Sequence, residues 1–142
     1  AVSRLADAGK VRFADGAGKY VPGLDPAIGS LTLQQLLSHT AGLKDEAVMN
    51  GRHDDAALGD EIRRWKSDWL FTKPGTIYSY SNPGYWLAGL VVEAMSGKAY
   101  ADAMAELVFE PHVEFKKRVP HTIGLIRTGD TVKYANMILE SA

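Results

Sequence analysis

The chain has 142 residues, 46% apolar and 23% charged, which is the balance of an ordinary globular protein rather than a disordered, fibrous or membrane one. Sixteen basic against seventeen acidic residues leave a formal net charge of −1, so no electrostatic excess recruits nucleic acid or an anionic membrane. With no cysteine, disulfides, thiolate zinc sites, iron–sulfur clusters and cysteine nucleophiles are excluded together, while the redox compartment stays open.

This length suits one domain with a core that folds without staples. The longest apolar run, Tyr85 to Val92, falls far short of the ~20 residues that span a bilayer. The first residues lack the basic start and apolar stretch of a secretion signal, so a soluble chain with no address of its own is expected.

Residues 1–10 read as the last turns of a helix with Val2, Leu5 and Ala6 on one face and Gly9 as its stop. No capping residue precedes that helix, and it is expected to begin further upstream. Val11 to Ser30, rich in Gly and Pro and without periodicity, reads as connecting loop. Thr32 and Gln35 form a capping box, and Gly42-Leu43 a left-handed stop, for a short helix over 32–43. Leu58, Ile62, Trp65 and Trp69 recur as one stripe of an amphipathic helix over 54–70. Lys73 to Thr76 reads as a turn, and Ile77 to Ser81 as a short extended stretch.

The next helix is the best specified. Asn82 is placed as its N-cap and Pro83 as its first residue, Trp86, Leu87, Leu90, Val91 and Ala94 lie inside, and Gly97 ends it. A helix from Lys98 to about Phe109 carries Tyr100, Met104, Leu107 and Val108 inward, and Pro111 opposes its continuation. Beyond it, Glu114 to Arg118 is charged, His121 to Gly129 reads as a strand pair or a loop, and Asp130 to Leu139 as a terminal helix. There is no internal repeat.

The run Leu36-Leu37-Ser38-His39-Thr40-Ala41-Gly42-Leu43, followed by Pro74-Gly75-Thr76 and by Tyr80-Ser81-Asn82-Pro83-Gly84-Tyr85, resembles the serine β-lactamase-related family. That family comprises class C β-lactamases, D-alanyl-D-alanine carboxypeptidases and related esterases. Leu5 to Val11 and Lys19 to Pro22 look like its stretch just after the nucleophile helix, so the resemblance covers roughly residues 1–111. It implies a mainly α chain, α+β at most: residues 1–111 as the helical subdomain of that fold, and 112–142 as a divergent tail with a short strand pair and terminal helix. Without most of the sheet against which this part packs in the family, an apolar surface remains that a homodimer or domain swap would cover.

The resemblance also implies a chemistry. In the family a serine and a lysine one helical turn apart form a Ser-x-x-Lys motif, because a hydroxyl is a poor nucleophile until a nearby base takes its proton. A second motif, Tyr-x-Asn, assists proton transfer and binds the substrate's amide, which makes Tyr80 the acid/base and Asn82 the substrate-binding group. A third, Lys-Thr-Gly or His-Thr-Gly, lines the opposite wall; His121, Thr122 and Gly124 match it if Ile123 is an insertion. No serine or threonine here has lysine three residues later. The complete relatives hydrolyse β-lactams, D-Ala-D-Ala peptides or esters through an acyl-serine, with no cofactor. This chain is therefore expected to be a partial hydrolase, inactive alone, or else a non-catalytic binding or homo-oligomeric module. Such relatives are often exported to the cell envelope.

Each candidate also has a plainer reading. Asn82 before Pro83 suits an N-cap with no substrate involved. Tyr80 suits a buried aromatic with its hydroxyl paired. His39 at a helix end can bond the last carbonyls or meet the negative end of the dipole. His53-Asp54-Asp55 reads as a helix start rather than a metal site, and no metal is expected. Lys116-Lys117-Arg118 reads as a solvated charge run.

Overall fold

The longest element, α5 (Asn82–Ser96), organises the fold because so much of its circumference is apolar: Pro83, Leu87, Ala88, Leu90, Val91 and Val92 are all buried. In the computed structural model, which describes residues 1–46, 54–111, 124–128 and 131–135, α5 packs against α1 (Val2–Asp7), α3 (Leu33–Leu37) and α4 (Ala57–Ile62). It also touches a 3-10 turn at Ala17–Lys19. The one-turn α2 (Pro26–Gly29) rests on that turn and on a second 3-10 turn at Ser67–Trp69.

The chain divides into two compact bodies, Val2–Tyr100 and a second from Ala101 onward. The second holds most of α6 (Tyr100–Met104), a π-helical turn at Ala105–Phe109, and the antiparallel strands β1 (Gly124–Thr128) and β2 (Thr131–Ala135). The regular structure of the described residues is thus mainly helical, and no helix among them is long and apolar enough to cross a membrane.

Several expected elements form as read. Val2 and Leu5 bury one face of α1, and Gly9 (φ +70) stops it, with Gly9 N–H donating to Ala6 O (2.9 Å) and Lys10 N–H to Leu5 O (2.9 Å). The capping box is reciprocal: Gln35 N–H donates to Thr32 Oγ1 (3.2 Å), and Thr32 N–H to Gln35 Oε1 (3.0 Å). Gly97 (φ +69) ends α5.

Others differ, each for a physical reason. Residues 11–30 are more than loop: Asp25 Oδ1 accepts from Ala27 N–H (3.0 Å) and Pro26 opens α2, while Val11, Ala17, Val21 and Ile28 are buried. The helix expected over 54–70 stops at Ile62, where Arg64 N–H donates to Glu61 O and Trp65 N–H to Ile62 O in tighter turns. That turn lets Trp65 bury completely and stack on Trp69, ring centroids 4.5 Å apart. In α5, Ala94 faces solvent and Trp86 is half-buried.

In α6, Tyr100 is exposed rather than inward, its ring against Gly89, where a side chain would meet it at 3.3 Å. Met104, Leu107 and Val108 are half-buried and Ala103 is buried, because the π-helical turn shifts the register of faces over 105–109. β2 occupies residues given above to a terminal helix over 130–139; its alternation of Thr131, Val132, Lys133 and Tyr134 suits a strand. Glu114 to Arg118 lies outside the described residues.

Gly42 does not stop α3, since Ser38 caps it and His39 (φ +57) takes the left-handed position. Gly42 (φ +73) lies instead where the chain returns against Thr72, and a Cβ there would sit 2.5 Å from Thr72 O. Gly23 has the same sign of φ (+82) in open space. Gly23→Ala should therefore cost about 1 kcal/mol, the left-handed penalty alone, and Gly42→Ala at least about twice that, read from urea unfolding midpoints.

A polar cluster pins residues 12–20. Tyr20 Oη donates to Asp15 Oδ2 (2.6 Å) and accepts from Arg12 N–H (2.9 Å), and Lys19 Nζ donates to Asp15 Oδ2 (2.6 Å). The bonds from Lys19 and then Tyr20 hold the Asp15 carboxyl below its ordinary range. A depressed carboxylate adds stability above its unfolded value and loses it as pH falls through the folded one. Asp15→Asn should flatten the acid limb of a stability-versus-pH profile. Desolvation, then the bond to Asp15, raises Tyr20, whose contribution is present at neutral pH and lost as alkali ionises the phenol. Tyr20→Phe should correspondingly soften the alkaline limb.

Candidate active site

After α3 the chain runs back along residues 69–81. Lys44 N–H donates to Trp69 O (3.0 Å), Phe71 N–H to Gly42 O (3.0 Å), Gly75 N–H to Thr40 O (2.7 Å) and Ser79 N–H to His39 O (2.8 Å). These bonds bring residues 39–45 beside the start of α5 across 37 residues of sequence. Gly84 permits the closeness, since a Cβ there would meet Leu36 O at 3.1 Å.

The N-cap of α5 is Ser81, not Asn82: the buried Ser81 Oγ accepts from Gly84 N–H (3.4 Å) and donates to Lys44 O (3.4 Å). Asn82 is thereby released from capping and becomes the first helical residue. Its Oδ1 accepts from Tyr80 Oη at 3.0 Å, and its Nδ2 faces both oxygens of Asp45 at 3.2 and 3.4 Å. A carboxylate only accepts, so this is the amide orientation that satisfies both neighbours. Asp45 Oδ1 also accepts from Asn82 N–H at 2.7 Å, placing a negative charge at the positive end of a four-turn helix.

Tyr80 is not the buried aromatic of the plainer reading: it is 56% exposed, with its hydroxyl on Asn82. His39 does not bond the helix carbonyls with its ring. Its Nδ1 accepts from Ser81 N–H (3.2 Å), and its imidazole lies among Tyr80 (4.6 Å between centroids), Tyr85 (5.1 Å, stacked) and Tyr78 (5.9 Å, edge-on). Tyr85 Oη donates to Leu37 O (3.0 Å), tying this group back to α3.

The arrangement can recognise an amide through Asn82 and pass a proton through Tyr80. Asp45 was not visible from the motifs, since nothing in its own neighbourhood marks it as a partner of Asn82.

His121 and Thr122 lie outside the described residues, as does His53; Gly124 opens β1, paired with Ala135. Asp54 Oδ1 accepts from Ala56 N–H (3.1 Å) in the turn before α4, but the helix itself has Ala56 at its N-cap and no side-chain cap. Among the described residues no group of three or more His, Asp and Glu is placed to hold a metal ion.

The family profile described as Beta-lactamase matches residues 1–129. Penicillin-binding protein 4 of Amycolatopsis lactamdurans is 28% identical over 114 residues, covering 78% of this chain and 30% of that protein. The crystal structure of SurE is 32% identical with a TM-score of 0.64, covering 78% of this chain and 24% of that one. The beta-lactamase/D-alanine carboxypeptidase from Yersinia pestis is 26% identical with a TM-score of 0.60, covering 78% and 34%. The chain thus spans about a quarter to a third of the length of these relatives.

The division of labour between Ser81 and Asn82 is open to measurement. Ser81→Ala should destabilise the fold by about 1 kcal/mol through the lost cap, and Asn82→Ala by less, because its contacts are exposed. Thermal unfolding of the two variants reads the order, and the reverse order would restore Asn82 as the cap.

Proposed function

The chain belongs to the beta-lactamase family, and from that premise we propose that it supplies the Tyr-x-Asn wall of an acyl-serine hydrolase site without the nucleophile. The observation that carries the reading is the 3.0 Å bond from Tyr80 Oη to Asn82 Oδ1, formed by a tyrosine more than half exposed. The phenol is then available for proton transfer to or from a leaving group. The Asn82 amide, oriented by Asp45, presents the hydrogen-bonding group for a substrate amide. Residues 1–111 form the family-like helical subdomain in this reading and 112–142 a tail, into which the family profile runs as far as residue 129.

Acyl transfer requires an activated hydroxyl beside a base, and no Ser-x-x-Lys occurs in these 142 residues. The substrate class is a β-lactam, a D-Ala-D-Ala peptide or an ester, and alone the chain forms no acyl-enzyme with any of them. A second reading, a homo-oligomeric binding module, draws on the exposed side chains of Phe71, Ile77, Tyr78 and Tyr85.

Intact mass after incubation of the folded chain with a reactive penicillin tests the first reading. An unchanged mass is expected, and a stoichiometric acyl adduct would refute it. Sedimentation velocity separates the second: a monomer excludes it.

A further inference from the structure

His39 occupies a backbone position that favours glycine. Its φ of +57 follows the C-cap of α3, and it is the one non-glycine residue with positive φ among the described residues. Thr40 N–H donates to Gln35 O (2.9 Å) and His39 N–H to Leu36 O (3.4 Å), the bonding of a left-handed helix stop that glycine would satisfy with less crowding at Cβ. Helix termination thus does not explain a histidine here.

The contacts of His39 do. Its carbonyl accepts from Ser79 N–H at 2.8 Å and its Nδ1 from Ser81 N–H at 3.2 Å. Those two donors flank Tyr80, and the ring lies on Tyr80 itself with centroids 4.6 Å apart. Main chain and side chain of one residue therefore grip the tyrosine's segment from both sides. The left-handed backbone turns the carbonyl and the imidazole toward the same stretch.

We infer that His39 is the positioning residue of the Tyr80–Asn82 pair, holding it through a neutral imidazole whose Nδ1 carries no proton. This rests on the reading of Tyr80 and Asn82 as the reactive wall. With the Nδ1 lone pair committed to Ser81 N–H, the ring proton resides on Nε2. A protonated imidazole has N–H at both nitrogens and accepts from neither. Acid then frees Ser81 N–H and loosens the segment that presents Tyr80. Among the described residues, the ionisable groups whose rings lie against the imidazole are Tyr78 and Tyr80 from the extended segment and Tyr85 from α5. Asp45 joins them through Asn82, from the segment that also carries the exposed Lys44–Glu46 pair.

The test compares the 15N-labelled chain with His39→Asn and His39→Gly. Asparagine also adopts the left-handed backbone, and its Oδ1 stands as far from Cβ as Nδ1 does, so it keeps the acceptor without titrating. Ser81's amide shift should titrate in step with the His39 ring protons in the unsubstituted chain and stay flat in His39→Asn. Its hydrogen exchange should be at least about tenfold faster in His39→Gly than in His39→Asn. A Ser81 amide that ignores the imidazole's titration, or is equally protected in a folded His39→Gly, overturns the inference. Should His39→Gly not fold, the titration of the other two chains decides alone. None of these readouts is acylation, so a penicillin adduct that refutes the hydrolase reading leaves this result to be judged separately.

Discussion

The Ser81 hydroxyl accepts from Gly84 N–H and donates to Lys44 O, and through these two bonds the start of α5 is fixed both along its own axis and against the returning chain. Had Asn82 been the cap, its amide would be spent on the helix and Tyr80 would have no acceptor there. Because Ser81 takes that duty, Asn82 has an amide oxygen for Tyr80 and an amide nitrogen for Asp45. The buried residues of α5 carry the same choice inward, since its packing against α1, α3 and α4 depends on the register set at its N-terminus.

The site is assembled by backbone pairing more than by side-chain packing. Residues 39–44 are bonded to residues 69–79 at four places, so the His39 carbonyl and the Tyr80 segment keep their register although no regular strand forms. Gly42 permits that close approach, and the turn at Gly75 (φ +83) reverses the chain toward Ile77. The core beneath contains the fully buried Leu36, Leu43 and Trp65, each of whose burial contributes on the order of 1.5–3 kcal/mol or more.

Family membership and present chemistry are separate matters in this chain. The residues that carry the family resemblance, 36–43 and 80–85, lie beside each other in the fold, whereas no Ser-x-x-Lys occurs in these 142 residues. Tyr80, Asn82 and Asp45 satisfy one another, and His39 accepts from Ser81 N–H beside them, so the polar groups of this cluster are paired within the chain itself.

The sequence by itself determined the short-range features. The capping box of α3, the glycine stops at Gly9 and Gly97 and the apolar face of α5 are all local: each needs residues a few positions apart, and its signature is visible in a short window. Tertiary structure decided where competing local signals lead. Asn82 and Ser81 are both good caps, and the carbonyl of Lys44 and the carboxylate of Asp45, 37 residues earlier in each case, gave the role to Ser81. Gly42 and His39 both lie where α3 could stop, and the pairing of Gly42 with Phe71 and of His39 with Ser79 and Ser81 made histidine the stop. A helix through Trp69 gave way to two turns, in which Trp65 is fully buried and stacks on Trp69. Such choices depend on partners that sequence separation hides, and only the folded chain brings them within bonding distance.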